Sequence, residues 1–346
     1  MNLVYIALEV RETMHFNYVF FIEPMQYNRI VLYDAVSSGK CVVRETGILP
    51  DASRLKRQLY RFHTSQNLSK KGLRLPFRAL WNGEVLGNLA FAEEKPLCFV
   101  FCATLRRYAD TDLFRYIKRQ YSDAKVVLLL RDVVEVTTSP LSGNGFEYIE
   151  RTFDRIYSIN EFDVQQYGFH PINVMCSQYP VPENPAIEPS DVVFVGKVKD
   201  RAETINRLYQ RFTEAGLKCD FTVMADSSQK NILPGIHTSD SLMSYEEMLQ
   251  RTVKAKCILE VTQKNISSVS STYLEALCYN KKLISDVKKI SGLKFYNPHF
   301  MQLFDRPEDI DIDFIKRDEA VDYHYDGYYS PLKLLESIDE DLCADR

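Results

Sequence analysis

A single carboxylate one turn inside a short helix, preceded by a cluster of hydroxyls, is the pattern with the most chemistry in this chain. The run from Lys256 to Asp286 reads as an apolar strand (KCILEVTQ), a serine-rich turn (KNISSVSS), a brief helix (TYLEALCYNKK) and a second strand (LISD). Ser268, Ser270, Ser271 and Thr272 stand where the first helical turn leaves backbone N–H groups without partners. Those groups, the hydroxyls and the positive end of the helix dipole together attract a phosphate. Glu275 would then reach a sugar hydroxyl. A second reading is also open, because Thr272-x-x-Glu275 matches a capping box in which the carboxylate only bonds back to the helix start.

Other residues fall where strands should end. DVVFVG (Asp191 to Gly196) is followed by Lys197, the spare Lys199 and Arg201, so Gly196 is expected at a tight turn with Lys197 and Arg201 as cations facing an anion. Tyr245 and Glu246 open a helix behind Ser244-x-x-Glu247, where they would either touch a nucleobase or serve the helix start. Arg131-Asp132 closes the apolar run KVVLLL, and Asp132 there would act as a general base or as a cap or ion-pair partner. His15, placed after a first strand near the N-terminus, is the second candidate base, and His63 is a further histidine of the first half. His170, His237, His299 and His324 read as surface residues. No metal-ligand spacing is visible. The eight cysteines include no C-x-x-C pair and mostly sit in apolar runs, which excludes a zinc ribbon or disulfide scaffold and suits a reducing, cytoplasmic setting.

These residues require a framework. With 346 residues, 45% apolar and 26% charged, the chain is a globular protein too long for one core, so two domains are expected. In the second half, apolar strands at DVVFVG, CDFTVMA, KCILEV and KKLISDV alternate with amphipathic helices at Ala202 to Ala215 and from Ser244 to Lys256. Strands apolar on both faces demand a parallel sheet covered on both sides, wound in both directions. The first half repeats the theme with PLCFVFCAT, a helix from Thr111 to Tyr121, KVVLLL, DRIYSI and PINVM, while the β-like runs before Gly47 have no readable order. PVPENPAIEP (Pro180 to Pro189) is the linker, with its boundary near residue 185. The expected division is 1–180, 181–320 and a terminal segment 321–346, whose helix from Pro331 docks outside the second sheet.

Charge is unevenly spread although the net is only −4. Arg54, Lys56, Arg57, Arg61, Lys70, Lys71, Arg74 and Arg78 face one acid between Asp51 and Arg78, whereas the stretch after Asp305 is acidic. Leu55, Leu59 and Phe62 share a helical face among these bases. Residues 51–81 therefore read as a contact for an anionic membrane surface or as a solvated helix; the overall acidity and the lack of a nucleic-acid motif argue against DNA or RNA. Glu9, Arg11 and Glu12 break the N-terminal apolar run, so neither a secretion signal nor a membrane span is expected.

Taken together, VFVGKVKDR, YLEALCYNKKLIS and FDRIYSINEFDVQQYGF resemble segments of the GT-B glycosyltransferases, in particular bacterial enzymes that build capsular or lipopolysaccharide glycans. The resemblance implies two Rossmann-like α/β domains facing across a cleft, with a C-terminal helix crossing back to the first. It also implies a nucleotide-diphosphate sugar as donor, held by Gly196, Lys197, Arg201, the serine turn and Glu275. The acceptor would be a glycan or lipid-linked hydroxyl on the first domain, with no further cofactor or metal and a location in the cytoplasm or on the inner face of the cell membrane. Where many retaining members carry a second glutamate, eight positions before the one matching Glu275, this chain has Ser267. A partner subunit that binds nucleotide sugar with weak transfer chemistry is therefore the alternative, and an epimerase or phosphotransferase on the same scaffold is a third.

Overall fold

The computed structural model describes residues 14–65, 67, 75–102, 105–139, 141, 144–224, 231–241, 243–263 and 270–344. The chain forms two units. Of the described residues, one comprises those within 176–328, and the other those within 14–175 and 329–344.

The unit holding the first half of the chain is built on six parallel strands, β1 (Asn17–Ile22), β2 (Cys41–Glu45), β3 (Leu97–Phe101), β4 (Lys125–Leu130), β5 (Arg155–Ser158) and β6 (His170–Pro171), in the order β2-β1-β3-β4-β5-β6. Every residue of β1 is buried, which is why NYVFFI shows no polar alternation. On one face Phe21 stacks on Phe101 with ring centroids 4.4 Å apart, against Tyr108, Phe114 and Ile117. Part of the opposite face is held by the terminal helix Pro331–Ala344, which returns to this unit. Its Asp339 accepts hydrogen bonds from the backbone N–H of His15 and Phe16 and from the Tyr18 hydroxyl, and Asp341 accepts one from Tyr157. The expected helix from Thr111 to Tyr121 is Leu113–Gln120, and a further short helix, Arg106–Asp110, precedes it; the two are separated at Asp112, which takes a left-handed conformation (φ 55°).

The other unit carries β7 (Ser190–Lys197), β8 (Cys219–Met224), β9 (His237–Ser239), β10 (Ala255–Glu260), β11 (Lys282–Ser285) and β12 (Met301–Leu303), again all parallel. Read from β9, their order is β9-β8-β7-β10-β11-β12. Numbered within the unit this is 3-2-1-4-5-6, the dinucleotide-binding Rossmann order, and the first unit starts 2-1-3-4-5, the flavodoxin-like order. Both are doubly wound α/β sheets. In each, successive connections leave in opposite directions at one pair of strands, β7 and β10 in one unit and β1 and β3 in the other. A crevice opens beyond the carboxyl ends of such a pair.

Candidate functional site

The β7/β10 crevice gathers most of the residues singled out in the second half. Gly196 and Lys197 are the last residues of β7, Glu260 ends β10, and Ser285 ends β11 directly opposite Glu260 in register. Gly196 lies within the strand rather than at a tight turn. What its missing side chain permits is a close approach, since a Cβ there would sit 3.3 Å from Nη2 of Arg201. Arg201, just before the helix Ala202–Glu214, reaches across the crevice and donates to the carbonyls of Lys197 and Val261, stapling the ends of β7 and β10. Burial lowers its pKa, with Asp200 and Asp286 opposing. Arg201 is thus largely engaged by the protein, whereas Lys197 is exposed at the strand end.

The helix Ser271–Cys278 begins where expected, with Ser270 as its N-cap. Ser270 Oγ accepts from the N–H of Thr272 and donates to Oε1 of Glu260, so the buried glutamate fixes the direction of the cap. Ser285 Oγ is held in the same way, donating to Oε2 of Glu260 (2.5 Å) while accepting from Val287 N–H. Burial raises the Glu260 pKa, and the two hydroxyls oppose the rise. Sequence reading passed over Glu260 because it sits inside the apolar run KCILEV.

Glu275 does not close a capping box. Its Oε1 accepts from the Tyr245 hydroxyl at 2.9 Å and Ser271 adds a second hydrogen bond, while burial pushes its pKa up to about 7. A carboxylate held this way can accept the hydroxyls of a ribose in place of these partners. Tyr245 is therefore a partner of Glu275, and Glu246 accepts from the Tyr179 hydroxyl at 3.1 Å. Ser244 caps that helix by accepting from Glu247 N–H. Ser267 and Ser268 lie outside the described residues.

In the first unit the β1/β3 crevice opens into a cavity of about 490 Å³ lined by Glu23, Asn28, Cys102, Arg131, Asp132 and Met175, with further apolar side chains. Asp132 is exposed and accepts from Val133 N–H, and Arg131 donates to Asn28 Oδ1 at 2.8 Å. His15 is elsewhere. It lies just before β1, so in a parallel sheet it sits at the end opposite Asp132, roughly 20 Å away along six residues of strand; the run ahead of it, expected as a first strand, lies outside the described residues. The residue that follows β1 is Glu23, which the sequence reading does not single out because the runs before Gly47 have no readable order. His63 is engaged on both ring nitrogens, accepting from Trp81 Nε1–H (2.8 Å) and lying 2.6 Å from the Pro76 carbonyl.

No family profile and no curated protein sequence matches this chain. Solved structures do resemble it. An α-glucosyltransferase in complex with UDP and a 13-mer DNA containing a central A:G mismatch superposes with a TM-score of 0.51 at 13% identity, covering 93% of this chain and 92% of that one. An α,α-trehalose-phosphate synthase (UDP-forming) from Burkholderia vietnamiensis gives 0.45 at 9% identity over 95% and 97% of the two chains. A UDP-N-acetylglucosamine 2-epimerase from Rickettsia bellii gives 0.44 at 11% over 95% and 97%. At these identities the likeness is one of fold, and the fold is GT-B glycosyltransferase-like, two Rossmann-like α/β units. Among the described residues no helix is long and apolar enough to cross a membrane.

Proposed function

We propose that this protein is a glycosyltransferase that moves a sugar from a nucleotide-diphosphate donor to a hydroxyl of a bacterial surface glycan, of the capsular or lipopolysaccharide kind and carried on a lipid. The observation that carries the reading is the pairing, at the switch point of a 3-2-1-4-5-6 sheet, of a buried glutamate one turn inside a serine-capped helix with an exposed lysine at the facing strand end. Glu275 takes the ribose, exchanging the Tyr245 hydroxyl for sugar hydroxyls. Lys197 and the N-terminus of the helix Ser271–Cys278 face the diphosphate, whose charge they offset as it leaves, without a divalent ion. Arg201 acts by holding the β7 and β10 ends at fixed spacing. The acceptor enters the cavity beyond β1 and β3, where Asp132, with Glu23 as its neighbour in that cavity, takes the hydroxyl proton.

Ser267, standing where many retaining relatives have a carboxylate, supports a second reading, a nucleotide-sugar-binding partner subunit with weak transfer chemistry. Incubating the protein, with EDTA present, with a panel of nucleotide-diphosphate sugars separates the two. A transferase slowly hydrolyses one donor and releases its nucleoside diphosphate. Binding without hydrolysis supports the partner subunit, and no binding across the panel removes both.

A further inference from the structure

The helix Arg54–His63 turns its apolar stripe away from its own domain. Helical spacing places Leu55, Leu59 and Phe62 on one face, and the structure leaves them 67%, 53% and 63% exposed. The side packed inward is that of Tyr60, whose ring meets Trp81 at 5.5 Å. Arg54 and Arg61 border the stripe on one side and Lys56 on the other; Arg57 lies beyond, bonded through Nε to the Ala52 carbonyl. Among the described residues, Arg54 and Arg61 make no ion pair, and Lys56 pairs with Glu84 at 2.7 Å. The adjoining turn Arg78–Trp81, joined to the helix through the Trp81–His63 hydrogen bond, adds Leu80 (77% exposed) and, just before it, Phe77 (76%). Phe77 is held at φ 61°, a conformation that bulky residues seldom adopt.

We infer that this surface docks on an anionic lipid bilayer, with Leu55, Leu59, Phe62, Phe77 and Leu80 entering the interface and Arg54, Lys56 and Arg61 at headgroup level. Apolar side chains bordered by long cationic ones are the arrangement an interfacial helix needs, since each cation can extend to the phosphates while its stem lies against acyl chains. Nucleic acid would satisfy the cations and leave the five apolar groups in water. A second copy of this chain, meeting the same patch across a two-fold axis, would press the arginines against one another. The inference rests on exposed side chains alone and is independent of the sugar-transfer reading.

The chain's single tryptophan, Trp81, adjoins the patch and serves as the probe. The full-length protein is mixed with vesicles of phosphatidylcholine alone or of phosphatidylcholine and phosphatidylglycerol in equal parts, some carrying brominated acyl chains. The expected result is sedimentation with the anionic vesicles, release by salt as exposed charges are screened, and quenching of Trp81 by the bromines. The variant L55Q/L59Q/F62Q should lose binding while keeping its far-UV circular dichroism, since all three side chains are exposed. The variant R54Q/K56Q/R61Q should bind about a hundredfold more weakly, at about fivefold, or 1 kcal/mol, per cation. Wild-type binding that ignores lipid charge, or an unquenched Trp81, would overturn the proposal. So would a concentration-dependent dimer abolished by L55Q/L59Q/F62Q, or preference for duplex DNA over vesicles.

Discussion

Replacing Glu275 by Gln should make the protein more stable in alkaline solution and leave it nearly unchanged in mild acid. The carboxyl is buried, and burial lifts its pKa from an ordinary 4.5 to about 7, against the opposing effect of the Tyr245 and Ser271 hydroxyls. Between those values the folded state binds the proton that the unfolded state has released. Stability therefore falls as pH rises from 4.5 towards 7, and the loss is complete above that. A displacement of that size corresponds to about 3 kcal/mol, the most that Glu275 can withhold from the folded state at high pH. Glutamine keeps an acceptor for the Tyr245 hydroxyl and removes the titration. Urea unfolding of both proteins at pH 5 and pH 8 measures the effect as a difference of differences, in which the titration of Glu260 largely cancels. Glu275→Gln should gain about 2–3 kcal/mol on wild type between the two pH values. An equal stability difference at both would show that Glu275 is not a desolvated carboxylate and would remove the physical basis of its assignment.

The two cations of the crevice should behave differently. Lys197→Ala should weaken nucleoside diphosphate binding about tenfold more than nucleoside binding with an unchanged thermal midpoint, because one charge-assisted contact is lost; equal losses for both ligands exclude it from the phosphate site. Arg201→Ala should cost about 2 kcal/mol of stability, since two crevice carbonyls lose their donor, and an unchanged urea midpoint would refute the staple. Glu260→Ala should cost a similar amount by leaving the hydroxyls of Ser270 and Ser285 without their acceptor, and should speed hydrogen exchange at Thr272 N–H; unchanged protection there counts against it. Asp132→Asn should lower turnover on a confirmed donor at least a hundredfold and leave donor affinity unchanged; undiminished turnover moves the base to Glu23.

The long apolar runs made most of the fold legible. DVVFVG, CDFTVMA, KCILEV and KVVLLL became β7, β8, β10 and β4, because strands buried on both faces are apolar throughout. The edge strands β6, β9 and β12 have two or three residues each and leave no periodicity to find. The candidate site was legible where it is local. Ser270 and Glu275 belong to one helix, and Lys197 follows its strand. Partnerships across the sheet were not, since Glu260 and Ser285 meet through strand register and Tyr245 meets Glu275 from another helix. The unordered β-like runs before Gly47 hid β1, so His15, at the end where β1 begins, was singled out and Glu23, where β1 ends, was not.

The central claim is that the β7/β10 crevice binds a ribonucleotide through Glu275. Calorimetric titration of the wild-type protein and Glu275→Gln, each with ribonucleoside diphosphates and their 2′,3′-dideoxy counterparts, tests it most directly. Wild type should bind one ribonucleoside diphosphate in clear preference to its dideoxy form, and Glu275→Gln should bind the two with nearly equal, lower affinity. Wild-type protein that does not distinguish the two sugars, or a preference that survives in Glu275→Gln, would contradict the account.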